Sequence, residues 1–331
     1  MSAASTNLGA RVFLSATCYE VLGEMSTTRR AFVGGAAAFG ALCATGAYAA
    51  TGAGKGERLK VRFLGTGAAD WHGRDRRGEL RRLTSILVDG RILIDFTSSD
   101  RDMLPQGCRP EAVFYTHSHE DHYDPAAAIA LGVRRAYVHE SWSREAAAEF
   151  REAASKAGKP APEVVALAVG KAVEDGGIRF TPLPANHATE RKAEQALIYL
   201  VEKGDVRLLY ATDTSGIPAV AARLAGIDAH NRTGKPITAL IMEATVGLGR
   251  EDDFRIFTHS TVAMVAKTVR ILTKTRRYAP RPGQSVWLTH MARTLHGTQA
   301  ELDKTLPAPL KAAYDGLEVE FLGNENARAT A

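Results

Sequence analysis

From Leu59 onward, short apolar runs alternate with turn signals: Leu59–Leu64 before Gly65-Thr66-Gly67, Thr84–Val88 before Asp89-Gly90, and Arg91–Ile94 ending at Asp95. Runs of this length bounded by Gly and Asp predict the strands of a sheet. Ala112–Tyr115 reads as a further buried strand. An alanine-rich helix, a short strand at Ala136–Val138 and a helix over Ser141–Lys156 follow, with Ser141 placed to cap the last. A second set of strands is predicted near Val164–Ala168, Ile178–Leu183, Gln195–Val201 and Val206–Ala211. The late elements are a strand at Ile237–Met242, a helix from Thr261 to about Thr273, a strand at Val286–Leu288, a helix after Gly297 and a closing strand at Glu318–Leu322. Two groups of strands, each followed by helices, imply a layered α/β architecture of two face-to-face sheets with helices outside, and leave the strand order open.

Residues 26–50 are different material. Ser26-Thr27-Thr28-Arg29-Arg30-Ala31-Phe32-Val33 leads into an uncharged Gly/Ala-rich stretch and then Ala47-Tyr48-Ala49, a small-x-small cleavage pattern. This resembles a twin-arginine export signal, with Arg29 and Arg30 as the pair. The resemblance implies the twin-arginine translocation machinery as a partner, cleavage after Ala49, and a periplasmic or extracellular location. Residues 1–49 are then leader and amino-terminal extension, with Met25 as an alternative start. Residues 50–58 form a linker, and residues 59–331 a single domain. Of three cysteines, Cys18 and Cys43 fall in the leader, so Cys108 has no disulfide partner in the remaining chain.

Composition adds boundaries. Of 331 residues, 45% are apolar and 24% charged, as in ordinary soluble globules. The formal charge of +5 is dispersed, without a block of five like charges, and gives no support for nucleic-acid binding. A small molecule is the expected partner; nothing in the chain speaks to oligomeric state.

Chemistry concentrates at the end of the Ala112–Tyr115 run, where His117-Ser118-His119-Glu120-Asp121-His122 packs three imidazoles and two carboxylates into six residues. Alternation points His117 and His119 the same way, whereas adjacent Asp121 and His122 diverge, so the cluster suits two neighbouring metal ions better than one. Imidazole with carboxylate suits zinc, manganese or iron, and the missing thiolate argues against a purely structural zinc site. Further ligand-type residues end later strands: His187 in Pro184-Ala185-Asn186-His187, Asp213 after Leu208–Thr212, and His290 after Val286–Thr289.

In that order, Asp95, the His-x-His-x-Asp-His cluster, His187, Asp213 and His290 resemble the five motifs of the metallo-β-lactamase fold superfamily, over roughly Leu59–Leu322. The resemblance implies a four-layer αββα sandwich of two mixed sheets. It implies two divalent metal ions, zinc first with manganese or iron as alternatives: one held by His117, His119 and His187, the other by Asp121, His122 and His290, with Asp213 bridging and Asp95 orienting a ligand. Asp213 stands where antibiotic-hydrolysing members usually have Cys, which points away from β-lactams. Gly65-Thr66-Gly67-Ala68, Glu243-Ala244-Thr245 and His259-Ser260-Thr261 resemble the cyclic phosphodiesterase and transfer-RNA 3′-processing branch. The departures are Met242, where the nuclease signature has His, and the absence of a cysteine-rich zinc knuckle.

The expected activity is hydrolysis of a small or cyclic phosphodiester by a metal-bridging hydroxide, with Asp121 and His259 as catalytic residues and His259 as the general acid. His296 stands in reserve for that role. Arg293 and Lys192 are candidates for phosphoryl oxygens, Glu243 for support beneath the site, and Trp71 with His72 for a pocket wall. The alternatives are a lactone or thioester hydrolase on the same scaffold, or an exported protein that binds metal or ligand without turnover.

Overall fold

The alternating apolar positions of β1 (Arg58–Gly65) send Leu59, Val61 and Phe63 to one face, where they join a core that also receives Ile178, Phe180, Tyr199 and Tyr210. The computed structural model describes residues 57–231 and 234–323; the leader expectation lies outside them. β1 is followed by β2 (Ser85–Val88), β3 (Ile92–Ile94), β4 (Ala112–Phe114), β5 (Arg135–His139) and β6 (Glu163–Leu167), which lie side by side in chain order. β7 (Val173–Asp175), β8 (Ile178–Pro184), β9 (Leu197–Lys203), β10 (Val206–Ala211), β11 (Ala239–Glu243), β12 (Val286–Thr289) and β13 (Leu310–Ala312) build a second sheet, also in sequence order. β14 (Glu318–Leu322) returns to pair antiparallel with β1, completing a seven-stranded first sheet.

The inner strands β2, β3, β4 and β11 bury both faces, which is why they read as apolar runs, whereas β1 alternates over its first half. Inner side chains meet between the sheets, where Phe114 stacks at 4.0 Å on Tyr137 and at 4.1 Å on Phe180 of the opposite sheet. The outer face of the first sheet packs on α1 (Pro125–Leu131) and α2 (Ser143–Ala157) through Tyr115, Trp142 and Phe150. The outer face of the second packs on α3 (Ala219–Leu224) and α4 (Val262–Lys274) through Ala221, Val262, Val265 and Val269. This is the four-layer αββα sandwich; α5 (Gln299–Thr305) closes a small satellite core of Met291, Leu302 and Ala312.

Some element limits differ from expectation for local reasons. Ser141 does not cap α2, which begins at Ser143 behind Trp142 without a side-chain cap. Its hydroxyl instead lies 2.8 Å from His139 Nδ1 and accepts the amide of Gln195, so β9 starts two residues later than predicted. Thr261 does cap α4, accepting the amide of Met264. β7, β13 and α3 are too short, at three to six residues, to show a period in sequence. The turn after β1 needs its glycines: a Cβ at Gly65 would run into the carbonyl of Leu83, and one at Gly67 into the Trp71 ring.

Candidate metal centre

β3 and β4 are parallel neighbours, as are β10, β11 and β12, so their carboxyl ends share an edge in each sheet. Asp95 follows β3, the histidine cluster follows β4, His187 follows β8, Asp213 follows β10, Glu243 ends β11 and His290 follows β12. Asp95, Asp213 and His290 leave their strands with φ of 56°, 47° and 53°. Only five non-glycine residues among those described take positive φ, and three are these. Left-handed backbone costs on the order of 1–3 kcal/mol and persists where the surroundings hold it.

His117 Nε2 lies 2.9 Å from His119 Nδ1, which in turn lies 3.2 Å from His187 Nε2. The opposite nitrogens face outward: His117 Nδ1 is 2.9 Å from Thr116 Oγ1, His119 Nε2 is 3.2 Å from Glu190, and His187 Nδ1 is 3.3 Å from the carbonyl of Thr258. Thr116 Oγ1 donates to Asp95, so His117 Nδ1 must donate to Thr116, which leaves its Nε2 lone pair pointing inward. Three imidazole nitrogens aimed at one another suit a cation between them. This group could hold a metal ion.

The second group is built on carboxylates. Asp213 Oδ2 lies 3.0 Å from His122 Nε2 and 3.3 Å from His290 Nε2, and Asp121 Oδ2 lies 3.3 Å from both nitrogens. The other oxygen of Asp213 faces His187 Nε2 at 3.9 Å, so one carboxylate spans both groups. His122 donates through Nδ1 to Asp95 at 2.8 Å, while its Nε2 is buried without a hydrogen-bond partner. A buried, orphaned imidazole nitrogen beside two carboxylates is the donor set a divalent cation satisfies. Asp121, His122 and His290 could hold that ion.

Electrostatics matches this geometry. Burial, reinforced by neighbouring imidazoles, holds His117 well below the usual histidine range, so it is neutral as a ligand must be. Burial also opposes charging His122, but Asp213, Asp121 and Asp95 outweigh it and raise it well above that range, so these carboxylates favour positive charge at this spot, which a proton supplies in the metal-free chain and a divalent cation would supply in its place. The same balance raises His259 to about 9, where burial is overcome chiefly by Glu243. Glu243 is buried and accepts the amide of Thr214 and the hydroxyl of Thr245, both at 2.5 Å; His259 Nδ1 lies 3.2 Å away. Thr245 Oγ1 is also 2.8 Å from His290 Nδ1, linking the carboxylate to the metal-ligand cluster. A cavity of about 320 Å³ opens over Asp121, His187, Asp213, Arg255, His259 and His290.

A family model described as the beta-lactamase superfamily domain matches residues 91–291, which span the histidine cluster, His187, Asp213 and His290. The chain belongs to that superfamily. It is thereby a metal-dependent hydrolase of the metallo-β-lactamase fold, a fold that binds divalent metals. No curated protein matches it. Among solved structures it resembles a diphosphatase from the PhnP family, at 24% identity and a TM-score of 0.58 over 81% of this chain and 99% of the other. Zn²⁺-bound PqqB from Methylobacterium extorquens is similar at 18% identity and 0.55, over 78% and 99%. Yeast PDE1 is similar at 9% and 0.54, over 80% and 99%. At these identities the structures speak for the fold.

The superfamily member thus brings together all seven ligand-type side chains, with Asp95, Glu243 and His259 against them. Other candidates fall elsewhere. Trp71 is buried and donates its indole N–H to the carbonyl of Met291, so it packs, whereas His72 is exposed on an open cleft shared with His119 and Asp121. Lys192 is exposed. His296 is not a free acid: its Nε2 lies 2.6 Å from the carbonyl of Ala244 and donates to it, and burial pushes its pKa down to about 4. Arg293 donates to the carbonyl of Arg74 and borders a groove of about 710 Å³ shared with Arg76, Arg77 and Arg250. Thr116, Glu194 and Arg255 escape sequence reading because threonines, acids and arginines off a strand-end pattern carry no spacing signal; Thr245 stands in the Glu243-Ala244-Thr245 motif, which gives it no role of its own.

Proposed function

We propose that this superfamily member is a dinuclear phosphodiesterase acting on a small or cyclic phosphodiester. His117, His119 and His187 would hold one ion, and Asp121, His122 and His290 the other, with Asp213 between them. Zinc fits imidazole-rich ligation best, with manganese or iron accommodated by the carboxylates. Bound there, the ions would supply Lewis acidity toward phosphoryl oxygens and acidify water toward a pKa of about 7.

The chain's own residues supply the rest. Asp95 fixes the ring of His122 through Nδ1 and reaches His117 through Thr116. Glu243 holds His259 at Nδ1, and Nε2 of that imidazolium is the atom that hands a proton to the leaving oxygen. Arg255, fixed at one end by Asp253, lines the cavity and offers its guanidinium to an anionic oxygen.

The observation that supports a phosphodiester over a neutral ester is the excess of arginine here: Arg255 in the cavity, and Arg76, Arg250 and Arg293 in the groove that adjoins it at Asp70, where Arg77 is paired with Asp75 and Glu301. Uncharged lactones and thioesters have no use for it. Purified protein assayed on bis(p-nitrophenyl) phosphate, cyclic phosphodiesters and a lactone panel, with metal analysis on the same sample, tests the reading. Turnover confined to the lactones would replace it, and bound metal without turnover of any ester would favour a binding protein. Export rests on Arg29-Arg30 and the following leader; fractionation of cells carrying Arg29→Lys with Arg30→Lys tests it, since retention of the wild-type chain in the cytoplasm refutes it.

A further inference from the structure

The three histidines of the first group come from both sheets: His117 and His119 follow β4 of one, and His187 follows β8 of the other. Their mutual geometry therefore depends on how two separate layers are registered at this edge. Main-chain ties exist just below, where the amide of Leu197 donates to the carbonyl of Thr116 at 2.8 Å and the hydroxyl of Tyr199 to that of Tyr115 at 2.5 Å. Neither touches the histidine loops themselves.

Glu194 does. Its side chain is completely buried, in the connection that runs from His187 to β9. One carboxylate oxygen accepts the amide of Ser118, the residue between His117 and His119, at 2.7 Å. The other accepts Ser118 Oγ at 2.5 Å and Thr189 Oγ1, two residues beyond His187, at 3.0 Å. Arg191 backs this arrangement: its Nε donates to Ser118 Oγ at 3.0 Å, its far nitrogen to Glu149 at 2.7 Å, and its guanidinium lies 5.5 Å over the Trp142 ring.

We infer that Glu194 is a positioning residue for the three-histidine site, a carboxylate clamp that fixes the first-sheet loop carrying His117 and His119 against the second-sheet loop carrying His187. A buried carboxylate with three donors is costly to desolvate and holds its place only because those donors are fixed. Its neighbours are histidine loops rather than packed core, so what it specifies is the relation between them. The inference rests on the metal-centre reading above. It concerns one of the two groups, because among the described residues Asp121, His122 and His290 make no hydrogen bond with the Glu194 carboxylate.

The test is metal affinity, independent of turnover. Metal-free full chain is titrated with Zn²⁺ against a chromophoric chelator and with Co²⁺ followed by visible absorption, for wild type, Glu194→Ala and Glu194→Gln. Glu194→Ala is expected to weaken one of two sites about 10- to 100-fold and alter that site's Co²⁺ spectrum, leaving the other at wild-type affinity. Glu194→Gln keeps one acceptor for the Ser118 amide and is expected to recover most of the loss, remaining several-fold weaker. Two wild-type affinities in folded Glu194→Ala, or equal weakening of both sites, overturn the clamp. Should Glu194→Ala fail to fold, Glu194→Gln decides, and unchanged affinity there overturns it. Wild type that binds no metal overturns the metal centre and the clamp with it; wild type that binds two ions while Glu194→Ala matches it overturns the clamp alone.

Discussion

Asp95 Oδ2 stands 2.8 Å from Nδ1 of His122, with both side chains wholly excluded from solvent. The contact fixes the tautomer of His122 and aims Nε2 at Asp121 and Asp213. Asp95→Ala leaves the ring without that partner. It is expected to lower metal affinity about 10- to 100-fold, read by chelator competition, and to lower turnover only in proportion to lost metal. Full affinity in the variant would show that packing alone orients the ring.

His259→Ala is expected to lower kcat by about 10²- to 10⁴-fold with metal content unchanged, because its Nδ1 is nearest Glu243, at 3.2 Å, with Asp213 farther at 3.5 Å. Metal analysis beside steady-state kinetics separates the two roles. His259 also lies within ligand distance of His187 and Asp213, so loss of a metal ion from the variant would make it a ligand instead of an acid.

Arg255→Ala removes a guanidinium from the cavity wall. A charge-assisted hydrogen bond is worth about 1.5–3 kcal/mol, so KM for an anionic phosphodiester is expected to rise roughly tenfold or more, with KM for a neutral ester unchanged. Parallel kinetics on one substrate of each kind decides; equal effects on both would mean that Arg255 shapes the loop through Asp253 and binds nothing.

His296 gives the chain an acid limit. Its folded pKa of about 4 lies below the ordinary value of 6.5, so the unfolded chain takes up the proton first. The stabilisation it brings is complete above about pH 6.5 and is lost as pH falls toward 4. Glutamine keeps a donor for the Ala244 carbonyl and has nothing to titrate, so thermal melts of His296→Gln across pH 4.5–7 are expected to vary less than those of wild type. Equal slopes would assign the acid sensitivity to other groups.

The strand ends told most of this in advance. Val206–Ala211 lies where it was expected because burial on both faces writes directly into sequence. His117–His122 declared itself by density, and His187, Asp213 and His290 by their shared place after strands. What sequence could not carry was contact across layers. Glu194 of the second sheet's loop grips Ser118 of the first sheet's over 76 positions, and even within one sheet Thr245 meets His290 over 45. A hydroxyl or a carboxylate looks the same in a loop whether it meets water or a partner from the other sheet. His296 misled for the converse reason: a histidine in a loop looked available, but the fold had already given its proton a carbonyl.

The left-handed backbone at Asp95, Asp213 and His290 sets stability against activity. Glycine at Asp213 or His290 would relieve the strained torsion and, in the metal-free protein, thin out a crowded cluster of buried charges, whereas at Asp95 it would leave the Thr116 amide and His122 Nδ1 without their acceptor. A screen that rewards heat resistance alone would therefore drift toward erasing the centre. One that rewards heat resistance in the presence of metal would retain it, because an ion bound only by the folded chain adds its binding energy to the fold. Positions 213 and 290 would then report, by which residues survive, whether the protein had been selected empty or loaded.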